Sequence, residues 1–243
     1  MKISGDVASF AEKMNARAEK LGLKDTHFDN PHGLDSKTHY TSARDLALLT
    51  ANALSNETFR KIVSTYKHTF MIGDKVRTVV NHNKLLRRYD GCIGVKTGFT
   101  DESGRCLVSA AEKDGVLLIA VTLDCGDDWN EHEKMLDYGF DHFKSIWIRE
   151  LCKTEREIPI VNSDTPLRVG LDIKKDRITV GTDDDIRLDV VLRQYIVAPI
   201  KKGDKVGEVI IYKNNVEIDR LDYLALETVN TRKNNIFDFL FRR

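Results

Sequence analysis

The sequence predicts an α+β layer domain followed by a small all-β module, and three observations carry that prediction. Apolar residues recur at three- and four-residue steps as far as Ser64, the period changes to two from Gly94, and short β-type runs alternate with turn residues beyond about Leu151. A boundary near residue 150 divides the chain into segments 1–148 and 152–233, with a distinct tail over 234–243.

The elements follow in order. Val7 to Leu21 reads as an amphipathic helix through Val7, Phe10, Ala11, Met14, Ala18 and Leu21, and Gly22 stops it. Asp25 to Leu34 is dense in turn formers, and Pro31 pushes Asn30 away from helical geometry, so an ordered loop is expected. Thr41 or Ser42 caps a second helix over Ala43 to Leu54, with Asp45 placed as a capping-box partner. A short third helix, Asn56 to Ser64, starts on an Asn cap. Lys67–Ile72 and Val76–Val80 read as a hairpin around Gly73-Asp74-Lys75. Strands are expected at Gly94–Thr97, Cys106–Ala111 and Val116–Leu123, the last two joined by Lys113-Asp114-Gly115. Trp129 to Ile148 returns to a long helix with Met135, Leu136, Phe140, Phe143 and Trp147 on one side. Further on, Glu157–Val161, Arg177–Val180, Leu188–Leu192, Val197–Ile200 and Val206–Tyr212 read as strands, with turns at Gly170, Gly181, Lys202-Gly203-Asp204 and Asn214-Asn215.

Composition removes several functions. Thirty-eight basic residues balance 38 acidic ones, so no global field draws in nucleic acid or an anionic membrane. No stretch reaches the roughly 18 apolar residues that a spanning helix needs, and Met1 to Phe10 lacks an apolar export core. Cys92, Cys106, Cys125 and Cys152 contain no C-x-x-C pair, which argues against a zinc knuckle or a redox pair; free thiols and one disulfide both stay open. The seven histidines form no H-x-x-x-H or H-E-x-x-H, and Asp183-Asp184-Asp185 lacks the spaced ligands of a calcium loop. Neither a metal nor a cofactor is expected. Lys84, Arg87 and Arg88 make a small basic cluster, read as a solvated face or as a contact for an acidic wall polymer.

The sharpest chemical signal is Gly94-Val95-Lys96-Thr97-Gly98-Phe99-Thr100, a Lys-Thr-Gly tripeptide at the end of an expected strand. Serine acyl transfer uses such a strand: its edge aligns a peptide while a lysine and a hydroxyl hold the terminal carboxylate. Lys96 supplies charge, Thr97 a short hydroxyl donor, and Gly98 removes a side chain so that substrate backbone can lie close.

The surroundings of that tripeptide resemble the low-molecular-weight penicillin-binding proteins, the serine D-Ala-D-Ala carboxypeptidases. The blocks that carry the likeness are Met14-Asn15-Ala16-Arg17-Ala18, Leu21 to Phe28, Asn30-Pro31-His32-Gly33-Leu34-Asp35, Thr41 to Ala47, Asn81-His82-Asn83-Lys84-Leu85-Leu86, Gly94 to Thr100 and Leu136-Asp137-Tyr138-Gly139-Phe140. They stand in the family's order and spacing over residues 3 to about 145. The resemblance implies the C-terminal part of a penicillin-binding, β-lactamase-like transpeptidase domain followed by the family's β domain. It implies a hydrolase that removes terminal D-alanine from peptidoglycan stem pentapeptides through an acyl-serine, and that β-lactams acylate. Lys96 and Thr97 would bind the substrate carboxylate, Gly98 and Phe99 would line the site, and His82 stands where relatives often carry a basic residue. A histidine there is a weaker, pH-dependent donor. The family works outside the cell, on the outer face of the cytoplasmic membrane. Its members often end in an amphipathic membrane helix, whose beginning Phe237, Leu240 and Phe241 beside Arg242-Arg243 resemble; the alternative is a docked or disordered tail.

One departure matters. The family's Ser-x-x-Lys and Ser-x-Asn motifs lie N-terminal to the helix that begins near Val7 and are absent there: none of the ten serines opens Ser-x-Asn, and the one Ser-x-x-Lys run, Ser64-Thr65-Tyr66-Lys67, falls between the third helix and the hairpin, away from the family's position. A serine without a base is a poor nucleophile. The expectation is an N-terminally truncated chain, inactive alone, with a sheet edge and an apolar face uncovered, residues 1 to 145 marginally stable and the β module able to fold by itself. Two alternatives stand beside it: a non-catalytic peptidoglycan-binding or protein-interaction chain, and a half that regains activity with a separate N-terminal polypeptide.

Overall fold

The computed structural model describes residues 3–173, 176–193 and 195–232, so the expected membrane tail at 234–243 lies outside the described residues. The chain divides into two compact units, Met1–His142 and Phe143–Arg243.

In the first unit α1 (Val7–Lys20) starts on Asp6, whose carboxylate accepts from the Ser9 amide at 2.7 Å. Gly22 follows its end in the left-handed region, at φ +71°. The loop after it is ordered by its asparagines. The amide of Asn15 bonds both the carbonyl and the N–H of Phe28, and Asn30 Oδ1 accepts from Gly33 while its amide donates to Leu34. Helix α2 (Ala43–Leu54) is capped by Ser42, as its sequence indicates. Asp45, however, is no capping-box partner. Its buried carboxylate accepts from the Asp25 amide at 2.7 Å and the Thr26 hydroxyl at 2.8 Å, tying the loop to the helix. Helix α3 (Glu57–Val63) starts on Asn56, and β1 (Lys67–Ile72) and β2 (Lys75–Val80) form the expected hairpin. Short α4 (Leu85–Arg88) leads to β3 (Cys92–Thr100), β4 (Gly104–Lys113) and β5 (Val116–Thr122), an antiparallel sheet in that order. Asp114 and Gly115 both take positive φ in the tight turn between β4 and β5.

Helix α5 (Asp128–His142) packs on one sheet face, where Leu136 meets Leu107, Ala111 and Ala120. Leu54 and Phe59 pack with Val95 and Ala110 in a second cluster, so the sheet is covered by helices from two sides. The helix expected over Trp129 to Ile148 ends at His142. Phe143–Trp147 is instead strand β6, paired antiparallel with β9 of the second unit.

After α6 (Ile148–Leu151), the second unit holds β7 (Glu155–Ile158), β8 (Leu167–Leu171), β9 (Arg177–Gly181), β10 (Ile186–Leu192), β11 (Lys205–Lys213) and β12 (Val216–Ala225). Five of these form an antiparallel sheet in the order β10-β11-β12-β8-β7, and its core includes fully buried Tyr223, Leu167, Val169, Val206, Val209 and Ile211. Val197–Ile200 makes only isolated bridges, Val161 with Val197 and Ile200 with Val229, because Pro199 has no N–H to donate to a ladder. Among the described residues no helix is long and apolar enough to cross a membrane.

Candidate functional site

Strand β3 has a strand partner on one side only, since it ends the β3-β4-β5 order. Its free edge offers backbone groups to an extended peptide. Register with β4 sets Lys96 opposite Val108, Thr97 opposite Leu107 and Gly98 opposite Cys106. Lys96 and Phe99 are exposed and Thr97 is half-buried.

A cavity of about 410 Å³ is lined by all five residues singled out in the sequence, His82, Lys96, Thr97, Gly98 and Phe99. Arg105, Cys106, Asp128 and Trp129 complete its wall. A second, largely apolar cleft of about 760 Å³ shares residues 96 to 99 and continues over Leu34, Leu46, Leu49, Phe59, Val63 and Val95. The Lys-Thr-Gly ridge therefore borders two hollows, one cationic and one apolar.

His82 is placed by its neighbours. The side chain of Asn81 donates to the carbonyls of Val63 and Thr65, and its oxygen accepts from the Asn83 amide at 2.9 Å. Fully buried Asn83 in turn accepts from Leu85 at 3.1 Å. Both flanks of the turn are thus fixed while the imidazole projects to solvent. Lys96 turns its ammonium to the Thr97 carbonyl.

Arg105 and Asp128 escaped the sequence reading. One Arg105 nitrogen donates to both Asp128 oxygens, at 2.7 and 2.9 Å, and the guanidinium lies 5.7 Å from the Trp129 ring centroid. Asp128 is 3% exposed, so the pair fixes a cation in the wall next to Lys96. The hairpin register holds a signal for Arg105: it sits opposite Phe99, one position beyond the Gly98–Cys106 pair. Nothing local to Asp128 announces its partner, 23 residues away. Asp128→Ala is expected to cost only about 1 kcal/mol of stability, because water reaches the released guanidinium, and to loosen Arg105 in the cavity. Urea titration of the variant, with Trp129 fluorescence as the site probe, checks both effects.

Serine chemistry has one further candidate. Ser109 Oγ lies 2.5 Å from His132 Nδ1, and Thr122 Oγ1 is 2.9 Å from Nε2. Both Ser109 and His132 are fully buried beneath the sheet, where no peptide reaches them. Burial pushes the imidazole down to about 4, against a smaller opposing pull from Asp128, so it rests neutral as a structural bridge from α5 to β4 and β5. The remaining histidines of the first loop serve that loop: His27 contacts the Thr38 carbonyl, and His39 accepts from the Asp29 amide. All four cysteines are unbridged thiols, with Cys92 and Cys152 raised by burial.

Comparison with known proteins places these features. The family model for D-alanyl-D-alanine carboxypeptidase matches residues 1–126, and the model for the C-terminal domain of penicillin-binding protein 5 matches residues 165–231. A D-alanyl-D-alanine carboxypeptidase of Bacillus subtilis is 31% identical over 252 residues, covering 99% of this chain and 63% of its own length. The crystal structure of penicillin-binding protein 5 from Haemophilus influenzae superposes with a TM-score of 0.69 at 28% identity, over 94% of this chain and 68% of the other. A mutant of the Streptomyces K15 DD-transpeptidase gives 0.53 at 38% identity, over 56% of this chain and 55% of the other. The chain spans about half to two thirds of the length of the curated relatives it matches. On this evidence of sequence and fold together, the chain belongs to the D-alanyl-D-alanine carboxypeptidase family.

Proposed function

We propose that the chain supplies the carboxylate-gripping wall of a serine-type D-Ala-D-Ala carboxypeptidase that trims peptidoglycan stem pentapeptides outside the cytoplasmic membrane. The observation that carries this reading is the meeting of Lys96, Thr97 and His82 in one cavity beside a free strand edge. Lys96 and Thr97 bind the terminal carboxylate, Arg105, held against Asp128, presents an oriented guanidinium, and the β3 edge aligns the peptide backbone. β-Lactams carry a comparable carboxylate and enter the same wall.

Hydrolysis needs a serine with a base; the one serine–imidazole hydrogen bond among the described residues is the buried Ser109–His132 pair, and Ser64, three residues before Lys67, donates its hydroxyl to the Lys61 carbonyl at 3.2 Å. The 243-residue chain by itself is therefore a binder of stem peptides, and fluorescent penicillin is expected to leave it without covalent label. Titration of the ¹⁵N-labelled chain with an N-acylated D-Ala-D-Ala peptide tests the binding role. Amide shifts confined to β3 and the Asn81–Asn83 turn are expected; absence of shifts there, or covalent labelling by penicillin, contradicts the reading.

A further inference from the structure

Next to the Lys96 cavity lies another hollow of about 660 Å³, bounded by Tyr66 and Asn81 and rimmed by His82, Lys84, Arg87 and Arg88. His82 lines both hollows. Arg88 is neutralised, its Nε 3.0 Å from Glu133 and a second nitrogen 3.0 Å from Asn130. Lys84 and Arg87 have no carboxylate partner among the described residues, and both are exposed. Each is nevertheless positioned. Arg87 lies 5.2 Å from the Tyr66 ring centroid and donates to its hydroxyl at 3.2 Å, and Lys84 lies 5.9 Å from the ring centroid of Trp129, a wall of the first cavity. Aromatic rings and a phenol orient these cations without cancelling their charge. The result is a pair of held, unneutralised charges in a concave site that adjoins the proposed peptide cleft.

We propose that this hollow is a second anion subsite, which takes an internal carboxylate of the same peptide whose C-terminal carboxylate sits at Lys96 and Thr97. The proposal rests on the reading of the Lys96 cleft given above. Continuity favours one ligand over two: His82 lines both hollows and Lys84 of the second lies over Trp129 of the first, so two anions on one chain bind as a linked pair, the second at high effective concentration. An arginine fork with one hydroxyl-bonded arm also suits a planar carboxylate.

Calorimetric titration of the full chain with two pentapeptides of equal length tests this. One is acetyl-L-Ala-γ-D-Glu-L-Lys(acetyl)-D-Ala-D-Ala; the other carries D-isoglutamine, which replaces only the internal carboxylate by an amide. The D-Glu peptide is expected to bind at least about fivefold tighter. Arg87→Ala with Lys84→Ala removes that preference and leaves the D-isoglutamine peptide within about twofold, whereas Arg87→Lys, which keeps the charge, retains most of it. Equal binding of the two peptides by the unaltered chain, or a preference that survives the double substitution, overturns the subsite. A preference that responds to Arg87 while Lys96→Ala changes neither peptide sinks the Lys96 reading and leaves an anion site standing. Failure of the unaltered chain to bind either peptide sinks both. Binding of soluble polyphosphate that is lost in the double variant, with no D-Glu preference, overturns the carboxylate assignment in favour of a phosphate polymer.

Discussion

Lys96→Ala is expected to weaken the binding of a D-Ala-D-Ala-terminated peptide by about 10- to 100-fold, since a charge-assisted hydrogen bond contributes about 1.5–3 kcal/mol. The fold should not register the change. Lys96 is exposed and its ammonium bonds the Thr97 carbonyl of its own strand, so the melting temperature should stay within a degree or two of the parent. Thr97→Val should give a smaller loss, about three- to tenfold, because it removes a neutral donor from a half-buried position. Calorimetric titration and thermal melts on the same samples separate binding from folding. A Lys96→Ala variant that binds as tightly as the parent assigns the carboxylate to another cation, Arg105 being a candidate in the same cavity wall.

Stability of the first unit is expected to fall with pH through the range where His132 differs between states. The folded imidazole titrates near 4 and the unfolded one near its ordinary 6.5, so the unfolded chain takes up the proton first as pH drops. The contribution is fully present above about 6.5, declines between 6.5 and 4, and levels off below, with a total of about 3 kcal/mol. The groups that face the ring are Ser109 on β4, Thr122 on β5 and the Asp128 carboxylate, itself held by Arg105, and only Asp128 favours the charged form. His132→Gln keeps hydrogen-bonding capacity and removes the titration. Urea unfolding at pH 7.5, 6, 5 and 4.5 should show a steeper loss for the parent than for the variant, and parallel curves would assign the acid sensitivity elsewhere. Two loop aspartates lie outside this window. Asp29 is held below its ordinary value chiefly by the hydroxyls of Ser36 and Thr38, and Asp35 by Ser103, so their contributions fade only at lower pH.

The β3-β4-β5 sheet was legible because its signals agree: period-two runs, an Asp-Gly turn and a Lys-Thr-Gly tripeptide all point to these strands. Helix caps at Ser42 and Asn56 were equally readable. Where sequence reasoning missed, tertiary contacts decided. Phe143 and Trp147 continue the apolar spacing of α5, yet this stretch pairs with Arg177–Gly181, 30 to 38 residues further along the chain. Gly170 reads as a turn, but it sits within β8 because a Cβ there would meet Leu226 Cδ2 at 2.8 Å. Strand β12 hides behind Glu217, Asp219, Arg220 and Asp222, of which Asp222 pairs with Lys205 and Arg220 with Glu208 of β11. Within the site, the five residues of the motif blocks were read and do converge, whereas the Arg105–Asp128 pair depends on a contact between β4 and α5 that no local pattern encodes.

The central claim is that this cavity recognises the acidic end of a peptide, and the direct measurement compares an N-acylated D-Ala-D-Ala peptide with its C-terminal amide on the same ¹⁵N-labelled chain. The acid should shift the amides of Lys96, Thr97 and the Asn81–Asn83 turn and bind at least about tenfold tighter than the amide. Equal affinities for the two forms, or shifts that spare β3, contradict the account.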